Sequence, residues 1–311
     1  VGSNAVLKNE FARDILCAYR DDSPYLREVV INTIPSKMWN GSGTAEDPYQ
    51  IKNVNDLKNL QDATTSQGLT YENTYFKVMN DINVDGDLGF EGIASDGNTK
   101  HEFSGTFDGG GHTIDGVILD KSGYKDDGTA TSTGSMSYSG FIGRLNAKGV
   151  IKNLTLGANC RMTFWANSGG ISGYVAGRIE NCVFLGTVRG MSSSIGGIAG
   201  QIQRTTGVVS GCRNDGRILS GGNYPGGIAG YNYNIIENCI NNGGIVGNLN
   251  GGKVLYCVNQ GSVSSSRVCG GIYGYNSGAV NVISCLNTGT VNGGKGYATG
   301  AIGGDKPGST G

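Results

Sequence analysis

Apolar residues follow a helical spacing at the start of the chain and a strand spacing over most of the remainder. Leu7, Phe11 and Ile15 recur at every fourth position, which places them on one face of an α-helix. Asp21–Pro24 breaks this pattern and precedes a second short apolar cluster. We therefore expect residues 1–38 to form a small helical segment at the N-terminal end.

Residues 39–120 show the first signs of β-structure. Apolar and polar residues alternate between Tyr75 and Val84, which predicts an extended strand with one apolar side. Asn55–Ala63 has the apolar spacing of a short helix. Residues 121–138 are rich in Gly, Ser, Thr and Asp, and this composition predicts an exposed loop.

From residue 139 onward the pattern is a repeat of short apolar arms separated by turns. One arm reads Gly-Gly-Ile-x-Gly or a close variant, the next reads apolar-x-x-Cys, and the third reads Gly-x-Val or Gly-x-Ile. Copies of the first arm begin at Ser139, Gly169, Gly196, Gly226, Gly243, Gly270 and Gly300. The cysteines of the second arm follow at intervals of 30, 27, 18 and 28 residues, and they are Cys182, Cys212, Cys239, Cys257 and Cys285.

Arms this short, repeated at this interval, are typical of a solenoid. A single coil cannot bury its own apolar residues, whereas stacked coils pair each strand with its copies above and below at ~4.8 Å. We predict an all-β chain folded as a right-handed, single-stranded parallel β-helix, with the helical segment of residues 1–38 as its N-terminal cap. Residues 39–120 would form the first coils and residues 139–311 the repeat coils of the same β-helix. The interval of 18 residues predicts one coil that lacks an arm.

The Gly-Gly-Ile-x-Gly copies resemble the GLUG motif of bacterial secreted and surface proteins. The stretch from Trp39 to Ile51 and the segment Phe103–Ile114, which contains Asp108-Gly109-Gly110-Gly111, look like the opening of those proteins. The resemblance covers residues 39–304 and implies a β-helix in a secreted or cell-surface protein. It implies either an adhesin-like module or an accessory region of an immunoglobulin A peptidase, and it supplies no catalytic set.

Composition narrows the function classes. The formal net charge is −1, whereas a protein that binds the phosphates of nucleic acid needs a clear excess of basic residues. We therefore expect no nucleic-acid partner. No run of eighteen apolar residues occurs, so we expect no membrane insertion. Carboxylates are sparse from residue 139 onward, where the four are Glu180, Asp215, Glu237 and Asp305. Polysaccharide-cleaving sites need clustered carboxylates, so we expect no catalytic residues, and a polysaccharide lyase or glycosidase is the least favoured alternative.

Two side-chain ladders are expected inside the coils. The five cysteines of the second arm recur at one place in the repeat, which favours a buried column of small apolar side chains over a metal or redox site. An asparagine stands two residues after four of them, and asparagine bonds nearby backbone groups in turns. These predicted ladder residues are Asn214, Asn241, Asn259 and Asn287.

One segment carries the start of a calcium-binding loop. Asp81, Asn83 and Asp85 share one side of the predicted strand, where their oxygens could hold a hard cation. The twelfth position of the loop is Gly92 in place of glutamate, so the pattern also fits a solvated strand face. The sequence therefore predicts no cofactor, with Ca²⁺ as the one open candidate.

Tyrosines mark the candidate binding face. If the isoleucine of Gly-Gly-Ile-x-Gly points inward, the residue after the final glycine points outward. This column contains Tyr174, Gln201, Tyr231 and Tyr275. Tyr273, two residues before Tyr275, is also expected to point outward. Tyrosine also suits an exposed strand without any ligand. We expect a non-catalytic binding or spacer module whose partner is a host or environmental glycan or protein. The first alternative is an accessory domain of a larger secreted peptidase or hydrolase.

Overall fold

The computed structural model describes residues 38–86, 89–123, 136–220, 224–264, 269–279, 281–293 and 299–304. The chain divides into two compact units, Val1–Asn40 and Gly41–Gly311, and the second is described below. The predicted helices of the N-terminal cap and residues 124–135 of the predicted loop lie outside the described residues. Lys121, at the start of that loop, ends a strand instead and is buried.

The described part of the second unit is a parallel β-solenoid of short strands with one helix, which confirms the predicted fold class. Every strand pair in it is parallel and joins one coil to the next. A chain wound in this way gives each backbone group a partner in the neighbouring coil, so strands of two to four residues suffice.

A full coil passes through five faces, which we number as sheets 1 to 5. Sheet 1 contains Tyr49–Ile51, Tyr75–Val78, Thr106–Asp108, Val150–Lys152, Arg178–Glu180, Val208–Ser210, Ile235–Glu237, Lys253–Leu255 and Asn281–Ile283. Sheet 2 contains Ile82–Asn83, Thr113–Asp115, Thr155–Leu156, Val183–Phe184, Arg213–Asn214, Ile240–Asn241, Val258–Asn259 and Leu286–Asn287. Sheet 3 contains Ile118–Lys121, Arg161–Phe164, Thr187–Gly190 and Arg217–Ser220, and sheet 4 contains Ser168–Gly169, Ile195–Gly196 and Pro225–Gly226. Sheet 5 contains Ile142–Leu145, Ser172–Val175, Ala199–Ile202, Ala229–Asn232, Val246–Leu249 and Tyr273–Asn276.

One coil is shorter than its neighbours. The chain passes from Ile240–Asn241 in sheet 2 directly to Val246–Leu249 in sheet 5, without a strand in sheets 3 and 4. Two separate strand pairs follow it, Val263–Ser264 with Val291–Asn292 and Cys269–Gly270 with Thr299–Gly300. The expectation that the 18-residue interval marks a coil without an arm is therefore confirmed.

The helix of the described part lies between the first two strands and runs Val54–Thr65. The side chain of Asn53 caps its N-terminus by accepting from the backbone N–H groups of Asn55 and Asp56. Leu57 and Leu60 are fully buried, as the sequence pattern predicts. The predicted strand from Tyr75 to Val84 is two strands, because the chain turns a corner between sheets 1 and 2.

The core is a set of stacked apolar columns. In sheet 1 a continuous register joins Phe76, Phe107, Ile151, Ile179, Val209, Ile236, Val254 and Val282. Phe76 and Ile236 are 1% or less exposed. Each fully buried side chain of this size stabilises the fold by roughly 1.5–3 kcal/mol relative to an exposed one. The core is therefore distributed along the solenoid axis, with one apolar layer for each coil.

Candidate functional site

The cysteine column lies at the corner between sheets 1 and 2. Cys182, Cys212, Cys239 and Cys257 are buried and Cys285 is half-buried, and the seven cysteines that the structure describes are free thiols. The thiol of Cys239 donates to the carbonyl of Glu237 at 3.2 Å, and its backbone N–H donates to Sγ of Cys257 at 3.4 Å. Each thiol of the column bonds the carbonyl two residues before it, and the sulfurs of Cys212, Cys257 and Cys285 also accept a backbone N–H from the coil before.

The buried thiols of this column are hard to deprotonate. Burial raises the pKa of the Cys212 and Cys239 thiols well above the ordinary value. The hydrogen bond with Cys239, together with burial, raises the pKa of Cys257 to about 12. A thiolate is the nucleophile and the metal ligand, so a column of protonated, buried thiols favours a structural role.

The asparagine column stands inside sheet 2, in register with Phe184 of the preceding coil. Nδ2 of Asn214 donates to Oδ1 of Asn241 at 2.7 Å, and Nδ2 of Asn259 donates to Oδ1 of Asn287 at 2.7 Å. Between these two pairs the ladder is interrupted, because the Asn241 amide turns toward the carbonyls of Gly243 and Gly244 in the short coil. Oδ1 of Asn259 consequently has no hydrogen-bond partner in the part of the chain that the structure describes.

The candidate calcium residues are exposed and already engaged with the backbone. Oδ1 of Asp81 accepts from the N–H of Thr113 at 2.9 Å, and Oδ1 of Asn83 accepts from the N–H of Asp85 at 3.0 Å. Only Asn83 of the three lies in the strand Ile82–Asn83, and Asp85 lies beyond it at φ 53°, so the three residues do not share one strand face. No group of three acidic, histidine or cysteine side chains that could hold a metal occurs within the described ranges. Calcium stays the open candidate that the sequence leaves.

The two glutamates of sheet 1 stand in one column, separated by Ser210. Glu180 is held in an ion pair with Arg178 at 2.6 Å. In the adjacent sheet 2, Asp215 pairs with Arg213 at 2.7 Å. Each of these two carboxylates is already held by an arginine two residues before it. The geometry around these groups does not assemble an acid–base pair.

The tyrosine column of sheet 5 has the register that the repeat predicts. Tyr174 pairs with Arg144 on one side and Gln201 on the other, Gln201 pairs with Tyr231, and Asn248 stands between Tyr231 and Tyr275. Tyr174, Gln201, Tyr231 and Tyr275 are each partly exposed. Their backbone positions are fixed by parallel ladders on both sides, so the spacing of the rings is built into the fold.

The prediction that Tyr273 points outward with the other tyrosines is wrong, because its side chain is only 8% exposed. Tyr273 pairs with Val246, which is buried at the same place in the preceding sheet 5 strand. The Gly-Gly segment that precedes the strand Tyr273–Asn276 packs against the first residue of that strand. A Cβ on Gly270 would meet the carbonyl oxygen of Tyr273, and one on Gly303 would meet its ring. The ring therefore packs against the next coil and does not contribute to a binding face.

The N-terminal part of the tyrosine face is occupied by an arginine. The Arg144 guanidinium lies 4.1 Å from the centroid of the Tyr174 ring and 5.4 Å from that of Tyr138. Its charge is neutralised by Glu102, whose Oε1 accepts from Arg144 Nη2 at 3.1 Å. This cluster is closed upon itself, since the side chain of Arg144 is 9% exposed.

The C-terminal part is a cluster of four tyrosines, which we call the tyrosine cradle: Tyr224, Tyr231, Tyr233 and Tyr275. The rings of Tyr231 and Tyr233 are stacked at 4.9 Å. Tyr224 meets Tyr231 edge-on at 6.0 Å and Tyr275 at 5.5 Å with a tilt of 36°. All four side chains are partly exposed. They form an aromatic surface whose members support one another.

Four residues near this face escape the sequence-based prediction, and they are Tyr138, Tyr224, Tyr233 and Arg204. Tyr138 and Tyr224 both adopt left-handed backbone conformations, with φ of 61° and 63°, just before a glycine turn. Tyr138-Ser139-Gly140 and Tyr224-Pro225-Gly226 hold the same place in the repeat, so an alignment of the copies contains the signal. Arg204, 5.5 Å from the Tyr233 ring, lies in a polar turn that carries no repeat pattern.

Comparisons with known proteins support the fold and leave the family open. No family model matches the chain. No helix of the described residues is long and apolar enough to cross a membrane. Over 168 residues, or 53% of this chain, the sequence is 32% identical to Halomucin from Haloquadratum walsbyi, and that alignment covers 2% of Halomucin. The chain is also similar to the crystal structure of a "putative immunoglobulin A1 protease" from Bacteroides ovatus, with a TM-score of 0.60 and 20% identity over 86% of each chain. This last likeness shows a shared fold.

Proposed function

We propose that this chain is a non-catalytic solenoid module of a larger extracellular protein, and that it binds a glycan or a protein along its tyrosine face. The observation that carries the proposal is the in-register column of Tyr174, Gln201, Tyr231 and Tyr275 on sheet 5. Aromatic rings at fixed spacing offer stacking surfaces with little ordering cost on binding. We also propose that the module is adhesin-like and that its repeats are of the GLUG type.

The two similar proteins support a place outside the cell. One bears a mucin name and the other is named as a protease of an immunoglobulin. The match to 2% of Halomucin also fits a chain that is one segment of a much longer surface protein. Secretion or display at the cell surface is accordingly part of the proposal.

A glycan array tests the binding face. The wild type is compared with a Tyr174→Gln/Tyr231→Gln/Tyr275→Gln variant, because glutamine already occupies this column at Gln201. Tyr256→Asn is the matched control, since Tyr256 is 57% exposed on another part of the solenoid. We expect the triple variant to lose the array signals of the wild type and the control to keep them. A ligand bound equally by wild type and triple variant would place the site elsewhere.

A turnover assay tests the absence of catalysis. We expect no release of reducing ends or unsaturated products from neutral or acidic polysaccharides, because Glu180 is engaged with Arg178. Turnover that disappears in both Glu180→Gln and Glu237→Gln would overturn the non-catalytic proposal.

A second candidate is an accessory region of a larger peptidase. The likeness to the Bacteroides ovatus protein over 86% of both chains favours it. The full open reading frame separates the candidates, because a peptidase domain joined to this solenoid would support the accessory role. A surface anchor without such a domain would support the adhesin-like role.

A further inference from the structure

The short coil gives the tyrosine cradle its shape. In full coils, a residue with left-handed backbone stands just before each glycine turn, and Asn167, Ser194 and Tyr224 hold this place. In the short coil the corresponding position before Gly243-Gly244 is taken by Asn241, which is buried in sheet 2. Within the described residues, no side chain of this type therefore separates Tyr224 from Tyr275, and the two rings are in contact.

The short coil also places a polar residue beneath the rings. Asn248 stands between Tyr231 and Tyr275 in the sheet 5 register, and it is 1% exposed. Its Oδ1 accepts from the hydroxyl of Ser277 at 2.9 Å. Tyr224 contacts both flanking tyrosines, so the three rings enclose Asn248 and present their remaining faces outward.

The two ends of the tyrosine face differ in charge. At Tyr138 and Tyr174 the arginine on the rings is neutralised by Glu102. At the tyrosine cradle, Arg204 lies 5.5 Å from the Tyr233 ring and is exposed. No ion pair joins Arg204 to a carboxylate in the described part of the chain. The cradle thus combines partly exposed aromatic rings with a positive charge that no carboxylate of the described residues offsets.

From this combination we infer that the tyrosine cradle binds a glycan whose sugars carry an anionic group, a carboxylate or a sulfate. The apolar C–H face of a pyranose ring stacks on a face of the cradle that the Tyr231–Tyr233 stack leaves open, and the anionic group pairs with the Arg204 guanidinium. Arginine suits this role because its planar donors match a carboxylate or sulfate in a bidentate manner. The inference rests on the proposed function and names the ligand class for its binding face.

The test uses ligands that differ only in charge. Calorimetric titration compares a galacturonate tetrasaccharide with its methyl-esterified form, which has the same rings without the carboxylates. A sulfated carrageenan tetrasaccharide shows whether sulfate replaces carboxylate. We expect the wild type to bind at least one acidic tetrasaccharide about tenfold tighter than the neutral ester, a difference of about 1.4 kcal/mol.

Substitutions follow residues that the same columns already contain, so that the fold is preserved. The cradle variant is Tyr224→Asn/Tyr231→Gln/Tyr233→Gln/Tyr275→Gln, and its new residues copy Asn167, Gln201 and Gln203 from the same columns. The charge variant is Arg204→Gln, with Arg217→Gln in sheet 3 as the matched control. We expect Arg204→Gln to bind acidic and neutral ligands equally weakly, the cradle variant to bind neither, and the control to match the wild type. Far-ultraviolet circular dichroism and melting temperature check folding.

The outcomes separate the inference from the proposed function. Equal wild-type affinity for the acid and its ester, lost in the cradle variant, would overturn the acidic ligand class and leave the binding face intact. An acidic preference that survives in Arg204→Gln would remove Arg204 from the site. Acid binding that survives in the cradle variant would overturn both. The absence of binding to every glycan on the array and every tetrasaccharide would overturn the inference and the glycan form of the proposed function.

Discussion

The last glycine of the Gly-Gly-Ile-x-Gly motif provides the sharpest test of the backbone packing. Gly200 holds this place in the third copy of the repeat, and its φ lies outside the left-handed region. A Cβ built on it would lie 2.5 Å from the backbone nitrogen of Ser168 and closer still to the carbonyl group of Asn167. The corresponding glycines 143, 173, 230 and 247 meet backbone atoms in the same way. We therefore expect Gly200→Ala to destabilise the solenoid.

The expected magnitude follows from two opposing effects. At an ordinary φ, alanine stabilises by about 0.4–1 kcal/mol because it restricts the unfolded chain. The overlap with Asn167 and Ser168 involves backbone atoms, so no side-chain rotation can relieve it. Shifting packed backbone costs about 1–3 kcal/mol and occasionally more, and it would also strain the parallel ladder to the next coil. We expect a net loss of about 1–2 kcal/mol in the free energy of unfolding.

Urea unfolding followed by circular dichroism measures this effect, with amide hydrogen exchange to show which coils open first. The control is Gly251→Ala, because nothing lies within 4 Å of a Cβ there and only its φ of +72° opposes the substitution. That control should cost about 1–2 kcal/mol and affect its own turn. A Gly200→Ala protein as stable as the wild type, or more stable, would refute the close approach of the two segments.

Three further predictions concern the ladders and the candidate cation site. The thiol of Cys257 should stay unreactive toward a disulfide reagent as the pH rises past 9, and rapid labelling of the native protein would contradict this. The free energy of unfolding should fall between about pH 9 and 12, because the unfolded chain loses the thiol proton at lower pH than the folded chain does. Asn241→Ala should lower the free energy of unfolding by about 1–3 kcal/mol, because Asn214 and two turn carbonyls lose their hydrogen-bond partner. Urea unfolding measures this loss, and an unchanged free energy would show that the asparagine ladder does not stabilise the fold. Calcium should leave the melting temperature unchanged, because Asp81 already accepts from Thr113; a rise that is lost in Asp81→Asn would instead establish a site.

The repeat makes the solenoid, its coil order and its short coil predictable from the sequence. Spacing alone sets which residues stack, so the column from Tyr174 to Tyr275 follows from the sequence without the structure. The burial of Tyr273 does not, because alternation along one strand does not reveal that Gly303 of the next coil packs against its ring. The contact of Tyr224 with Tyr275 is equally hidden, since it depends on what the short coil leaves out.

Ring-selective NMR of the tyrosines is the most direct test of the claim that this solenoid works as a binding surface. The protein is labelled at tyrosine rings and titrated with the galacturonate tetrasaccharide, and individual Tyr→Phe variants assign the signals. The account predicts shifts confined to Tyr224, Tyr231, Tyr233 and Tyr275, an unchanged Tyr256 signal, and an intact ligand at the end. Shifts at Tyr256 with none in the tyrosine cradle, or cleavage of the tetrasaccharide, would contradict it.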